Sequence, residues 1–263
     1  MQKISRIAAG IGLLAVSAAM AQQPPQEKMQ MKPEMTESWE PEVKVITPGT
    51  NNAAPSDAVV LFDGKNLDQW VSVNDPQKPA QWTVANGVFT VKKGTGNIQT
   101  KDSFLDYQLH IEWQIPAKIS GTGQGRGNSG LFLASIGGGD AGYELQIVDS
   151  YNNRTYANGQ AGSIYKQHRP MVNAMRKPGE WNVYDVIFTA PRFKEDGSLF
   201  SPARVTVFHN GVLIQNNTEL KGPTQYIGLP EYSKAHGKAP IKLQDHGDPS
   251  EPISFRNIWI RPL

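Results

Sequence analysis

Along most of the chain, apolar and polar residues alternate in short runs instead of recurring every three or four positions. The clearest run is Tyr107-Gln108-Leu109-His110-Ile111-Glu112-Trp113-Gln114-Ile115. Its odd-numbered positions are all apolar and its even-numbered positions all polar, the period of a strand with one face in a core. Comparable runs predict strands near Val59–Phe62, Gln81–Val84, Val88–Lys92, Leu131–Ala134, Tyr143–Val148, Trp181–Thr189, Arg204–Phe208, Val212–Gln215, Ile241–Asp245 and Ile253–Arg261. Asn86-Gly87 and Asn210-Gly211 mark hairpins, because both dipeptides accept the positive φ of a type I′ turn. No stretch beyond residue 58 sustains a helical period for more than two turns. Many strands without helices, and without a repeat of fixed length, predict an all-β domain of the β-sandwich or jelly-roll kind.

The first 57 residues follow other rules. Lys3 and Arg6, the apolar run Ile7 to Val16 and the small-residue site Ala19-Met20-Ala21 read as a secretory signal over residues 1–21. Its apolar part is about ten residues, short of the ~20 that span a bilayer. The mature protein is therefore expected to be secreted or periplasmic, with no membrane segment. Residues 22–57 are rich in Pro, Gln, Glu, Lys and Met and predict a disordered linker, since such a composition buries too little apolar area to offset its ordering entropy. Met29, Met31 and Met35 are thioethers without an accompanying His or Cys, which favours a plain tail over a Cu(I) site. The predicted globular domain spans residues 58–263.

Charge and composition remove several classes of function. Of 26 Lys+Arg, two lie in the predicted signal, leaving 24 basic residues against 24 acidic ones in the remainder. A formally neutral chain lacks the basic stripe that nucleic acid requires. With no cysteine there is no disulfide framework, thiolate metal site or thiol nucleophile. The run Gly121-Thr122-Gly123-Gln124-Gly125-Arg126-Gly127-Asn128-Ser129-Gly130 lacks the ending of a phosphate loop and leads into a strand. It is expected to form a mobile loop at a site mouth, with Asn128 and Ser129 as polar contacts.

Candidate chemistry follows from the alternation. In Tyr143-Glu144-Leu145-Gln146-Ile147, the apolar residues claim the core, so Glu144 and Gln146 point the other way, about 7 Å apart. In Ile241-Lys242-Leu243-Gln244-Asp245-His246 the residues Lys242, Gln244 and His246 share the non-core side. Acid, amide and imidazole groups on adjoining strands suit a hydroxyl-rich ligand. An ordinary solvated sheet face would carry the same alternation. Glu144 and His246 are candidates for acid–base work. Asp149 is either a further carboxyl or the cap of a turn beside Ser150.

Together the segments resemble a known family. Leu61-Phe62-Asp63-Gly64-Lys65-Asn66-Leu67-Asp68-Gln69-Trp70, Asn128-Ser129-Gly130, Gly142 to Asp149 and Ala161-Gly162-Ser163-Ile164-Tyr165 occur in the family's order. Glu180-Trp181-Asn182, His209-Asn210-Gly211, Leu243-Gln244-Asp245-His246-Gly247 and Phe255-Arg256-Asn257-Ile258 continue that order. This pattern, over residues 59–263, resembles the 3-keto-disaccharide hydrolase domain, or domain of unknown function 1080. The resemblance implies a concanavalin A-like jelly-roll β-sandwich of two antiparallel sheets, in an exported bacterial protein that acts on glycosides oxidised at C3. It makes Glu144, His246 and Asp149 the expected catalytic groups. Gln146, Gln244, Asn128, Tyr165 and Lys242 are then expected to hold the sugar and its enolate. No cofactor is expected; a divalent metal ion is the alternative holder of the enolate, although no ligand set has a diagnostic spacing. Related glucanases carry two or three carboxylates along one strand, and Gln146 stands where a second would fall.

Two other readings compete with an enzyme. One is a non-catalytic carbohydrate-binding module, for which an aromatic platform and few titratable groups would be expected, with Trp70 and Trp82 as candidates. Trp113 lies on the apolar side of its strand and belongs to the core. The other is a structural sandwich domain tethered by its Pro-rich tail.

Overall fold

The structure, a computed structural model, describes residues 29–263; the predicted signal and the first residues of the predicted linker lie outside them. The described residues form parts of two units, divided between Lys44 and Val45. In the first, residues 29–44 are exposed throughout, Met29, Met31 and Met35 included, around a single 3-10 turn at Pro33–Met35.

The second unit begins earlier than composition suggests, because residues 45–57 contribute polar anchors. Asn52 O accepts the Trp259 indole N–H at 2.9 Å and the Asn257 amide at 3.0 Å. Asp57 pairs with Arg261 at 2.8 Å.

Fifteen strands follow: β1 (Val59–Phe62), β2 (Trp70–Ser72), β3 (Thr83–Ala85), β4 (Val88–Thr90), β5 (Ile98–Thr100), β6 (Tyr107–Gln114), β7 (Asn128–Ser135) and β8 (Gly142–Val148). Next come β9 (Trp181–Thr189), β10 (Arg192–Phe193), β11 (Leu199–Ser201), β12 (Arg204–His209), β13 (Val212–Glu219), β14 (Lys242–Leu243) and β15 (Ser254–Pro262). The large sheet runs β13-β12-β9-β6-β15-β4-β3, with β1 also paired to β15; the smaller runs β2-β5-β14-β7-β8. Every pairing in both is antiparallel, and the two sheets make a jelly-roll sandwich.

Both Asn-Gly hairpins are present. Asn86 and Gly87 (φ 51° and 78°) join β3 to β4, and Asn210 and Gly211 (φ 52° and 79°) join β12 to β13. Two positive φ values in succession give the type I′ geometry whose twist matches paired strands.

The core lies between the sheets. Leu109, Ile111 and Trp113 from β6 meet Leu145 and Ile147 from β8, all fully buried. Burying each such side chain contributes about 1.5–3 kcal/mol. Two core tyrosines also stitch the layers: Tyr107 Oη donates to Leu133 O at 2.7 Å and Tyr184 Oη to Gln146 O at 2.8 Å. The second of these bonds fixes the backbone of β8 at a residue whose side chain lines the site.

Three local expectations need correction. The β14 strand is only two residues long, because the Asp245 N–H leaves the ladder for Asn97 Oδ1 at 2.8 Å. The strands β2 and β5 have three residues each, too few to show a period, and were not predicted. Asn128 and Ser129 open β7 and do not belong to a loop; Ser129 Oγ is buried and donates to Gln244 O at 2.8 Å.

Candidate functional site

On the face of the small sheet away from the core, side chains from β7, β8 and the end of β14 stand in rows. Gly130 pairs with Gln146 on one side, while the Gln244 N–H donates to Gly130 O on the other at 3.1 Å. The next row is Glu144, Phe132 and Lys242. Because Gly130 has no side chain, the first row dips between its two glutamines. A Cβ at that position would stand 2.8 Å from Glu144 Oε1 and 3.0 Å from the Phe132 ring. The missing side chain is therefore what admits the Glu144 carboxyl.

Above this dip lies a cavity of about 150 Å³. Six of the predicted residues line it together: Glu144, His246, Gln146, Gln244, Asn128 and Tyr165. Loops add Asp140, Thr224 and Tyr226, which no strand pattern could have placed there. A larger groove of about 590 Å³ beside Trp70 and Trp82 is the less suitable place for chemistry, since its charged residues Lys65, Asp68 and Lys101 are all exposed. Trp70, Trp82 and Trp113 are themselves buried, so they offer no aromatic platform to a ligand.

Glu144 is 5% exposed, and among the described residues none donates a hydrogen bond to its carboxyl. Burial raises its pKa and the nearby Asp140 charge raises it further, against a smaller pull from Lys242, so the carboxyl titrates at about 8. It is thus mostly protonated at neutral pH and can give a proton away.

His246 is disposed differently. Its Nε2 lies 3.4 Å from Asn128 Nδ2, and its Nδ1 lies 3.2 Å from both the Asp248 Oδ2 and the Asp248 backbone nitrogen. Burial pushes the Asp248 carboxyl up, but hydrogen bonds from His246 and Ser250 outweigh it and leave the pKa below the ordinary range. Asp248, through its side chain and its backbone, thus sets the orientation of the imidazole ring.

The amides between these groups are oriented by the glycine-rich segment. Gln124 Oε1 accepts Gln146 Nε2 at 2.9 Å, and Gln124 O accepts Asn128 Nδ2 at 2.8 Å. This turns Gln146 Oε1 away from its neighbours. Among the described residues, the buried Oε1 atoms of Gln146 and Gln244 have no hydrogen-bond partner. Two orphaned acceptors in one cavity call for donors from a ligand, and hydroxyl groups supply them. Tyr165 closes one wall, its hydroxyl 2.5 Å from that of Tyr156.

Two predicted site residues do not reach the cavity. Asp149 follows the inward-facing parity of Leu145 and Ile147; its buried carboxylate lies 2.7 Å from Arg126 Nε and accepts the Tyr151 N–H at 3.0 Å. Capping a turn and pairing with Arg126 leave it no path to a substrate. Lys242 is fully buried, and its Nζ donates to the carbonyls of Gly137, Gly139 and Ala141 at 3.2, 2.8 and 2.8 Å. All three ammonium protons are used, so Lys242 holds the loop that carries Asp140 and does not hold sugar. Burial lowers its pKa to about 8 despite the opposing charges of Asp140 and Glu144.

Sequence reasoning missed Gln124, Asp140, Asp248, Thr224 and Tyr226. Only Asp248 carried a signal, its position two residues from His246 in Asp245-His246-Gly247-Asp248. Among the described residues, no group of three or more His, Cys, Asp or Glu side chains is arranged to hold a metal ion.

Similarity to known proteins bears on the family and the fold. A crystal structure of a candidate glycosyl hydrolase from Parabacteroides distasonis is 57% identical, covering 91% of this chain and 100% of its own, with a TM-score of 0.84. Two others described in the same way, from the same organism, are 20% and 23% identical and show the fold alone. They cover 79% and 78% of this chain and 94% and 99% of their own, with TM-scores of 0.55 and 0.54. No curated protein matches the chain. Residues 57–261 match the model of the 3-keto-alpha-glucoside-1,2-lyase-like domain. The chain belongs to that family and is, at that level, a carbohydrate-active hydrolase or lyase.

Proposed function

We propose that the protein cleaves glycosides carrying a ketone at C3, by elimination across C2 and C1 followed by addition of water. The observation that carries this reading is the pairing, in one ring-sized cavity, of a carboxyl held protonated near neutral pH with an imidazole oriented by Asp248. A ketone at C3 acidifies the C2 hydrogen. His246 Nε2 takes that proton, and the electron pair passes into the enolate. The enolate then re-forms the ketone as a C1=C2 double bond develops and the C1–O bond breaks, with Glu144 giving its proton to the departing oxygen. Water adds at C1 while the Glu144 carboxylate accepts its proton, and the imidazolium returns a proton to C2. Atoms and protons balance over the cycle, and no oxocarbenium ion forms. The Oε1 atoms of Gln146 and Gln244 are placed to accept sugar hydroxyls.

The secretory signal predicted for residues 1–21 supports the periplasm or the outside of the cell as the proposed place of action. Among the described residues, no helix is long and apolar enough to cross a membrane.

The test compares 3-keto glucosides with their unoxidised parents, with and without chelator, and measures released aglycone. Release from the keto compounds alone is expected, and Glu144→Gln should abolish it with little change in melting temperature. Binding of unoxidised oligosaccharides with no product from either class would establish the carbohydrate-binding module instead.

A further inference from the structure

The cavity is lined by polar side chains except where Tyr165 and Tyr226 bring aromatic rings to it. Tyr226 lines the cavity yet is 71% exposed, and Ile227 and Leu229 on the same loop are 84% and 88% exposed. Scattered exposed apolar residues are ordinary, but three within four positions beside a site call for an occupant. The sequence Tyr226-Ile227-Gly228-Leu229 offers no polar side-chain group except the Tyr226 hydroxyl.

This lip is built in place. Lys166 Nζ donates to Tyr226 O at 2.5 Å and lies 4.1 Å from the Tyr226 ring centre and 5.8 Å from that of Tyr165. The Lys166 N–H is in turn held by Asn158 O at 2.8 Å. Tyrosine rings fixed in this way lose little freedom when a ligand arrives.

Size decides what meets them. At about 150 Å³ the cavity is well below the ~300–1,000 Å³ of sites that enclose a whole drug-sized ligand. It has room for the reacting sugar, so the group attached at C1 must lie at the mouth. We infer that Tyr165 and Tyr226, with Ile227 and Leu229 beside them, form a leaving-group subsite that takes an aromatic aglycone in preference to a second sugar. The inference rests on the reading above that the sugar ring occupies the cavity. An aryl ring stacks on the tyrosines and covers aliphatic side chains beside them, whereas a second sugar would find only the Tyr226 hydroxyl among the side chains of residues 226–229.

The experiment titrates the mature protein with phenyl glucoside and methyl glucoside, neither oxidised and so neither subject to the proposed elimination. Roughly tenfold tighter binding of the phenyl compound is expected, the scale of one aromatic contact with its buried area. Tyr226→Ala should remove that preference and Tyr226→Phe should keep it. Equal affinities in the wild type, no binding of either compound, or a preference that survives Tyr226→Ala would overturn the inference. The same pair carrying a 3-ketone separates the two claims: a phenyl preference in binding without turnover of either keto compound leaves the subsite standing and removes the chemistry.

Discussion

The Glu144 carboxyl sits over Gly130, in the space a side chain there would fill: a Cβ at residue 130 would approach Glu144 Oε1 to 2.8 Å. One backbone position thus sets the place of the proposed acid. Gly130→Ala should lower kcat/KM at least tenfold by displacing that carboxyl, on the scale of a misplaced catalytic group (about 10²-fold for 1 Å). Stability should fall by about 1–3 kcal/mol, since the added Cβ also stands 3.0 Å from the ring of fully buried Phe132, and such overpacking outweighs the roughly 0.5–1 kcal/mol that alanine gains over glycine inside a strand. Steady-state kinetics beside a thermal melt checks both; an active Gly130→Ala variant would show that the carboxyl need not lie there.

The titration of Glu144 near 8 has two consequences. Turnover should fall as pH rises through about 8, because the ionised carboxyl has no proton for the leaving oxygen. Stability follows the same group: unfolded, it ionises near 4.5, so between that pH and about 8 the unfolded chain releases a proton that the folded chain keeps. The wild type should therefore lose stability across that window, by a few kcal/mol at most, and Glu144→Gln should lose less. Denaturant melts at pH 5 and pH 8 on both proteins measure the difference.

Asp248 touches no substrate in this account; it positions His246. Asp248→Asn should leave the fold intact while reducing kcat by about 10- to 100-fold, as removal of a supporting carboxylate does for other oriented histidines. The loss should fall on kcat with KM nearly unchanged, because Asp248 orients the ring and does not touch the sugar. A lowered melting temperature with kcat unchanged would assign Asp248 a purely structural role.

Lys242 should behave as a structural residue. Lys242→Met leaves the carbonyls of Gly137, Gly139 and Ala141 without their shared donor, at a cost of roughly 3 kcal/mol. The melting temperature should fall clearly. Amide exchange should rise in the 137–141 loop, and Asp140, carried there, should lose its hold on Glu144. A variant that keeps its stability but loses sugar affinity would return Lys242 to the binding surface.

The strand Tyr107–Gln114 and the run Glu144-Leu145-Gln146 were legible because a period of two is a local property of the chain. The same period placed Gln244 and His246 on the side of Glu144, and all four side chains line one cavity. Alternation tells which face a residue is on and says nothing of what covers that face. Here loops cover it, so Lys242 is sealed beneath the 137–141 carbonyls, while Asp149, on the other parity, is sealed against Arg126. Gln124, Asp140 and Tyr226 come from turns whose paths depend on tertiary contacts, and no periodicity announces them. The residues 45–57 look like linker by composition, yet Asn52 and Asp57 anchor them through single polar contacts that composition cannot register.

The most direct measurement follows hydrogen at C2 of a 3-keto glucoside incubated in heavy water with the Glu144→Gln protein. With the proposed base intact and the acid removed, deuterium should enter C2 while the glycosidic bond survives, and the additional change His246→Gln should stop the exchange. Unlabelled C2 in the single variant, or label that persists without the imidazole, would contradict the assignment of these two side chains.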